Sequence, residues 1–507
     1  MAAAEFEVPT LTEYTEVPKI KEGATAHVKS FPAAEASQTY LGYPWELSAD
    51  WKERALDKMG DLLGKYRSLR VFMDACVHCG ACTDKCHYFL GTADPKNMPV
   101  ARQDLMRQVY RRYFTLPGKI APWLVGAQDL TEDTLNQWYS YYHQCSECRR
   151  CSVFCPYGID TAEITMAGRE ILNHVGMGQK YSSEILVKVQ KIGNNLGLPG
   201  PALEDTLLGL EEDIEADTGV PVKMPLDVEG AEILLVTPSA DFFSEPHVES
   251  LIGYAKVFHA AGASWTLSTK ASEAGNFGLF NGNYETMRTV AMRIRDAAIE
   301  LGVKRIIVGE CGHAWRVAYS FWNTLTGIGY DGKDPFSVEL QTQLDPRYPQ
   351  PMHICEYTWD LIENGVLKFD KSANDDRVIT FHDSCNVARG SRMGTEPGGQ
   401  FTIPRNIIKA VANNFHDMAA ETIGETTFCC GGGGGLLTDD LIEVRVKGAL
   451  PRMNAYNNVV QGKNVNFLAL ICAICKAQFT KVLPYYGFDR GSVGGVHQLV
   501  STAIKLD

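Results

Sequence analysis

Two cysteine runs of one spacing constrain this chain more than any other feature: Cys76-x2-Cys79-x2-Cys82-x3-Cys86 and Cys145-x2-Cys148-x2-Cys151-x3-Cys155-Pro156. Three thiolates at three-residue intervals hold one iron–sulfur cluster, while the fourth points away and reaches a second cluster. The spacing therefore predicts one [4Fe–4S] cubane on Cys76, Cys79, Cys82 and Cys155, and another on Cys145, Cys148, Cys151 and Cys86. Pro156 turns the chain away after the last ligand, because proline fixes φ and has no N–H. In the first run His87 stands where such a proline would be usual. Zinc prefers two CxxC pairs, so two complete runs of ferredoxin type argue against it. Two cubanes in one module form a short electron wire. Arg149 and Arg150 are candidates for raising a cluster's potential, with solvated surface charge as the plain alternative.

A second group of cysteines lies far along the chain: Cys385, Cys429, Cys430, Cys472 and Cys475. Cys472-Ala-Ile-Cys475 follows an apolar strand pattern at 465–471, and Cys385 follows another that starts at Val378. Both therefore fall at the carboxyl edge of a parallel sheet, where open α/β sheets place their sites. Cys429 and Cys430 come from a loop over the same edge. Five thiolates exceed what a cubane or a zinc ion requires, and adjacent cysteines are awkward ligands for one tetrahedral ion. A larger or split cluster would use all five. The glycines at 431–435 then have a reason: Gly431, Gly432 and their neighbours can take positive φ and bring N–H groups to sulfur atoms. A flexible loop behind a metal knuckle would explain the glycines but not the converging cysteines.

The 507 residues allow two to four domains. A hydrophobic content of 45% and a charged content of 21% are ordinary for a globular protein. The net charge of −13 speaks against nucleic acid or anionic lipid as a general partner. No apolar run is long enough to span a bilayer, and MAAAEFEVPTLTEYTEVPK lacks the plan of a secretory signal. A cytoplasmic compartment is expected, in which the fifteen cysteines are ligands rather than disulfides.

The expected organisation is an extended arm at 1–50, a mainly α two-cluster ferredoxin-like domain at 51–178, a connector at 179–230, and two α/β halves with parallel-type sheets at 231–367 and 376–507. The halves read as an internal repeat. Ile233-Leu-Leu-Val-Thr237 matches Val378-Ile-Thr-Phe-His382, and Arg305-Ile-Ile-Val-Gly-Glu-Cys311 matches Phe467-Leu-Ala-Leu-Ile-Cys472. His353-Ile-Cys-Glu-Tyr-Thr-Trp-Asp-Leu-Ile362 matches His497-Gln-Leu-Val-Ser-Thr-Ala-Ile504, in the same order.

With Cys385, Cys429-Cys430-Gly431 and Cys472-x2-Cys475, the chain resembles the heterodisulfide-reductase-like CCG-domain iron–sulfur proteins. Its layout is that of the family's fused D-type subunit and of the K subunit (DsrK) of the Dsr membrane complex of sulfur metabolism. The segments CCGGGGGLLTDDLIEVRVKGALPRM and NFLALICAICKAQFTKVLPYYGF look most like DsrK. The resemblance implies a noncubane [4Fe–4S] cluster on the five cysteines, where a sulfur–sulfur bond is cleaved in two one-electron steps. It also implies electrons drawn from menaquinol through a haem b quinone-reactive membrane subunit, and attachment to the membrane through such partners. The implied substrate is a DsrC-like protein whose C-terminal arm cysteines carry a trisulfide; for sulfur oxidisers the opposite direction of flow is the alternative.

The chain departs from the pattern in two ways. The loops between Cys385 and Cys429 and between Cys430 and Cys472 are longer than usual. The first half has lost its ligands: Ala240 stands near the counterpart of Cys385, Ala274-Gly275-Asn276 replaces CCG, and Ala314 replaces the second cysteine of CxxC. One noncubane cluster is therefore expected. Two readings of Cys311 and His313 stand side by side: they face the intact cluster across the repeat, or Cys311 is a vestigial core cysteine. Cys355 reads as core packing. His382 is a candidate proton donor to a leaving thiolate, with a backbone-satisfied histidine as the alternative. Lys476, Arg389 and Arg392 are candidates for attracting an anionic sulfur species or a carboxylate, or are plain surface charge. Two rival functions use the same cysteines. One is an electron-wiring subunit of a cytochrome- or hydrogenase-linked complex. The other is the electron-accepting subunit of a glycerol-phosphate or lactate dehydrogenase.

Overall fold

The computed structural model describes residues 47–274, 276–323, 338–437 and 441–506. Residues 1–46 of the expected arm, Gly275 of the degenerate triplet and 438–440 of the LLTDD stretch lie outside them.

The cysteine runs sit among helices α1 (Trp51–Lys65), α2 (Arg67–Ala75), α3 (His87–Thr92), α4 (Pro99–Phe114), α5 (Leu116–Ile120), α6 (Glu132–His143) and α7 (Thr161–His174). Local chemistry sets their ends. Pro99 opens α4 at a position where the missing N–H costs nothing. Thr131 and Thr134 close a reciprocal capping box at the start of α6. Ala55, Met59, Leu62 and Leu63 form the buried face of α1, and they join Met106, Val109, Leu135, Trp138 and Tyr142 in one core. Helices α8 (Lys180–Ile192) and α9 (Gly200–Thr218) lead out of this region.

Two parallel sheets follow. β1 (Ile233–Val236), β2 (Trp265–Thr266), β3 (Arg305–Val308) and β4 (Met352–His353) align in the order β2-β1-β3-β4. β5 (Ile379–His382), β6 (Phe467–Leu470) and β7 (Val493–Gly495) align as β5-β6-β7. A parallel bridge from Ile379 to Phe415 stands beside β5 where β2 stands beside β1. The register is equally alike: Ile233 pairs with Arg305 as Ile379 pairs with Phe467. The fold is therefore α/β with two repeated halves, as expected, and the strands are largely apolar and buried because both sheet faces are covered.

The helices around the first sheet include α10 (His247–Ala260), α11 (Asn276–Phe280), α12 (Tyr284–Leu301), α13 (Gly312–Asn323) and α14 (Ile354–Glu363). Around the second are α15 (Cys385–Gly390), α16 (Gly399–Val411), α17 (Ile442–Lys463), α18 (Ala473–Val482) and α19 (Val496–Ala503). The halves meet reciprocally. α10 of the first packs on α19 of the second, and α16 of the second packs on α14 of the first. Such an exchange is the signature of a pseudo-two-fold interface. Gly253 makes the first contact possible, since a Cβ there would lie 2.1 Å from the carbonyl oxygen of His497.

Candidate metal centres

The two runs lie side by side around two voids. Cys76, Cys79, Cys82 and Cys155 line one void, with Cys151 also on its wall. Cys86, Cys145, Cys148 and Cys151 line another. Each void thus offers at least four thiols and no competing carboxylate, a donor set that fits an iron–sulfur cluster. The first void is near the surface, with Cys79 exposed. The second lies deeper, and Arg102, fully buried on α4, donates to Cys86 Sγ at 3.4 Å.

The five later cysteines converge. Cys385, Cys429, Cys430, Cys472 and Cys475 are each 3% exposed or less. Cys385 and Cys472 stand just past the carboxyl ends of β5 and β6. Cys429 has Cys148, Cys385 and Cys430 as sulfur neighbours, and they hold its thiol well below the ordinary range. Cys430 meets Cys475, and Cys475 meets Cys472. Cys472 meets Cys311 of the first half, which holds the Cys472 thiol low against the effect of burial. An unbroken series of sulfur contacts therefore runs from Cys148, through the five cysteines, to Cys311.

The CCG loop is threaded through this arrangement. Gly431, Gly434 and Gly435 have φ of +91°, +67° and +84°, which side chains rarely adopt. The Gly431 N–H donates to Cys429 Sγ at 3.3 Å. Gly434 has a different reason to lack a side chain. A Cβ there would lie 2.7 Å from the carbonyl oxygen of Cys145. The glycines press the loop onto the second cysteine run as well as freeing N–H groups for sulfur.

Buried cations surround the sulfurs. Arg169 donates to the carbonyls of Tyr142, Cys145, Phe280 and Gly434, and it pairs with Glu147. Arg452 donates to the carbonyl of Thr422 and the hydroxyl of Thr427. Arg150 is buried against Phe428, 3.9 Å from the ring centroid, and bonds the carbonyls of Lys85 and Thr426. It is not a solvated charge; Arg149 pairs with Asp160 instead.

His382 lies beside the site, its Nε2 3.6 Å from Cys475 Sγ. Burial, with Arg452 nearby, pushes it down to about 3, so the ring is neutral at physiological pH. His313 Nδ1 lies 3.7 Å from Cys472 Sγ, and its Nε2 contacts Asn386 at 2.9 Å. Cys355 is fully buried at the start of α14.

One expectation is corrected. Lys476 is not a cation awaiting an anion: it is wholly buried, bonded to Glu310 at 2.7 Å and to Ser250. Arg389 bonds the carbonyls of Cys148, Glu425 and Thr427 through Nε and Nη1, while its Nη2 is buried beside the site without a hydrogen-bond partner. Arg392 is exposed, and its carbonyl accepts from Trp315.

In the first half the place of the lost ligands is filled by a polar pair. Glu273, next to Ala274, accepts from the N–H and hydroxyl of Ser239, next to Ala240. Burial raises Glu273 to about 7.

Sequence reasoning missed His87, Tyr88 and Gln478. His87 bridges the Gly448 carbonyl and the Ser146 hydroxyl at 2.7 and 2.8 Å, tying α17 to both cysteine runs. Tyr88 donates to the Gly431 carbonyl at 2.6 Å, and Gln478 to that of Cys430 at 3.1 Å. The signal was His-Tyr standing where the first run should have its proline.

Geometry thus defines an iron–sulfur protein in which a two-run ferredoxin unit abuts a five-cysteine site at a sheet edge. The 4Fe-4S dicluster domain family matches residues 72–159, and the CCG cysteine-rich domain family matches 379–480. The chain is 43% identical over 481 residues to the Hdr-like menaquinol oxidoreductase iron-sulfur subunit 2 of Archaeoglobus fulgidus, covering 91% of this chain and 85% of that protein. It is 39% identical over 494 residues to the Hdr-like menaquinol oxidoreductase iron-sulfur subunit of Archaeoglobus profundus, covering 94% and 87%. The D-type subunit of the dihydromethanophenazine:CoB–CoM heterodisulfide reductase of Methanosarcina barkeri is 24% identical, covering 80% and 87%. The chain belongs to the family of Hdr-like iron–sulfur subunits, proteins of the oxidoreductase class. Among the described residues no helix is long and apolar enough to cross a membrane.

Proposed function

We propose that the chain conducts electrons through two [4Fe–4S] cubanes to a noncubane [4Fe–4S] cluster, where the disulfide or trisulfide of a DsrC-type protein is reduced. Cys76, Cys79, Cys82 and Cys155 would hold the outer cubane, and Cys86, Cys145, Cys148 and Cys151 the inner one. Cys385, Cys429, Cys430, Cys472 and Cys475 would hold the third cluster. The observation that carries this reading is the unbroken series of sulfur contacts from Cys148 to Cys311. When bound, the clusters supply one-electron carriers and iron at which a sulfur–sulfur bond takes up electrons one at a time.

The chain's own groups do the rest. Arg102 places positive charge beside the inner run, which favours the extra electron there, while Arg169 is paired with Glu147. His313 and His382 fix the rotamers of Cys472 and Cys475. Cys311 stands beside Cys472, where a substrate sulfur would be held. A disulfide takes up two electrons and two protons and leaves as two thiols. A trisulfide takes up four of each and leaves as two thiols and hydrogen sulfide. The names of the two Archaeoglobus relatives support menaquinol as the electron source, reached through a haem b quinone-reactive membrane subunit that also holds the chain at the membrane.

A second reading, electron wiring without a substrate of its own, is favoured by the burial of the five cysteines at 3% exposure or less. EPR of the purified complex under redox titration, with and without the oxidised cysteine-arm protein, separates the two. Under the leading reading a signal appears only with the oxidised partner, and Cys429→Ser or Cys475→Ser abolishes both that signal and S–S cleavage. Unchanged turnover in these variants would sink the proposal; intact quinol oxidation with no response to the partner favours wiring.

A further inference from the structure

The four most exposed large apolar side chains among the described residues fall in one short stretch. Leu116 and Ile120 are each 70% exposed, Trp123 76% and Leu124 75%. The stretch comprises α5 and the 3-10 turn Pro122–Leu124 that follows it.

This tip is built rather than loose. Gly118 is buried against α4, and a Cβ there would lie 1.8 Å from the carbonyl oxygen of Arg111. Thr115 donates to that same oxygen at 2.8 Å and caps the Gly118 N–H. Arg111 reaches back to the Val125 carbonyl at 2.8 Å, and Pro117 and Pro122 fix φ on either side. The backbone face is consumed by α4, so the apolar side chains can only point outward.

Charge and size indicate what covers them. Between Asp104 and Asp129 the chain has Arg107, Arg111, Arg112 and Lys119 and no acidic residue, in a protein of net charge −13. Arg107 is buried and Arg112 pairs with Asp129, while Lys119 is exposed within the tip itself. The bare apolar surface is on the order of 500 Å², near the upper end of what a monomer leaves exposed in one patch. A tryptophan among aliphatic side chains, with a lysine between them, suits the boundary between lipid headgroups and acyl chains.

We propose that residues 116–124 are a membrane-surface anchor. Leu116, Ile120, Trp123 and Leu124 enter the outer part of an anionic bilayer, and Lys119 lies at the level of its phosphates. This inference is independent of the chemistry at the five cysteines.

The test is co-sedimentation of the full-length, cluster-loaded protein with phosphatidylcholine vesicles, with and without phosphatidylglycerol. The wild-type chain should bind the anionic vesicles. Ile120→Ser/Trp123→Ser should lower partitioning by about tenfold or more, with visible absorption and far-UV spectra unchanged. Lys119→Glu should weaken binding several-fold, and only on anionic vesicles. The fluorescence difference between wild type and Trp123→Phe should shift to the blue when vesicles are added. A wild-type protein that stays in the supernatant with both lipids overturns the proposal. So does vesicle binding indifferent to the tip variants, or a tip substitution that only dissociates a dimer or a partner protein.

Discussion

Replacing Gly434 with alanine tests whether the glycine loop is the seam between the inner cysteine run and the five-cysteine site. Gly434 and Gly487 have nearly equal φ, +67° and +77°, so alanine meets the same left-handed strain at both, roughly 1–2 kcal/mol. Their surroundings differ. Nothing lies within 4 Å of a Cβ at Gly487, whereas at Gly434 the Cys145 carbonyl oxygen lies at 2.7 Å and Ser146 Cα at 3.0 Å. Both of those are backbone atoms, which cannot rotate aside. Relieving the overlap means moving the Cys145–Ser146 backbone away from the loop, an overpacking cost of about 1–3 kcal/mol beyond the strain. Gly434→Ala should therefore lose about 2–5 kcal/mol where Gly487→Ala loses about 1–2. Anaerobic denaturation of both variants measures this. In the same samples, EPR of the reduced protein should show a weaker magnetic interaction between the inner and five-cysteine centres in Gly434→Ala alone. If the two variants match in stability and in EPR, the loop does not set the approach of the two sites.

Two further outcomes follow from buried charge. Lys476→Met should destabilise by about 3–5 kcal/mol, because it leaves the Glu310 carboxylate buried without its ammonium; adding Glu310→Gln should recover part of the loss in the same denaturation assay. Glu273 titrates near 7 in the folded chain, above its ordinary 4.5, so the folded state binds this proton more tightly than the unfolded state. Its contribution is full below pH 4.5 and is lost as pH rises through 7, up to about 3 kcal/mol. Glu273→Gln should remove this dependence, so thermal melts at pH 5.5 and 8 should differ less in the variant than in the wild type.

Much of the site was legible because ligand spacing and strand-end position are local properties. The expectation that Cys155 joins the first run, and Cys86 the second, rests on the number of residues between thiols. The repeat was legible too, since strands buried on both faces write continuous apolar runs. What the sequence could not reveal was the use of its charges. Lys476 follows Cys475 and looks available, but its partner Glu310 is far away in sequence and supplied by the other half. Arg169 and Arg452 sit in helices, where arginine ordinarily faces water; only the tertiary fold turns them onto the carbonyls of the CCG loop and its neighbours. Cys311 was poised between two readings, because whether equivalent residues of two repeats touch depends on where the axis passes. It passes between Cys311 and Cys472.

That axis also carries a lock. Glu310 of the first half accepts from Lys476 and from both the backbone N–H and Nδ1 of His497 in the second, and all three side chains are shut away from water. Parting the halves like a clamshell would strip a carboxylate of every cross-axis donor in a dry interior, at several kcal/mol. A hinge at the repeat boundary is therefore an expensive door. The two lobes that flank Cys472 and Cys475 are held as one rigid unit by charge as well as by apolar packing.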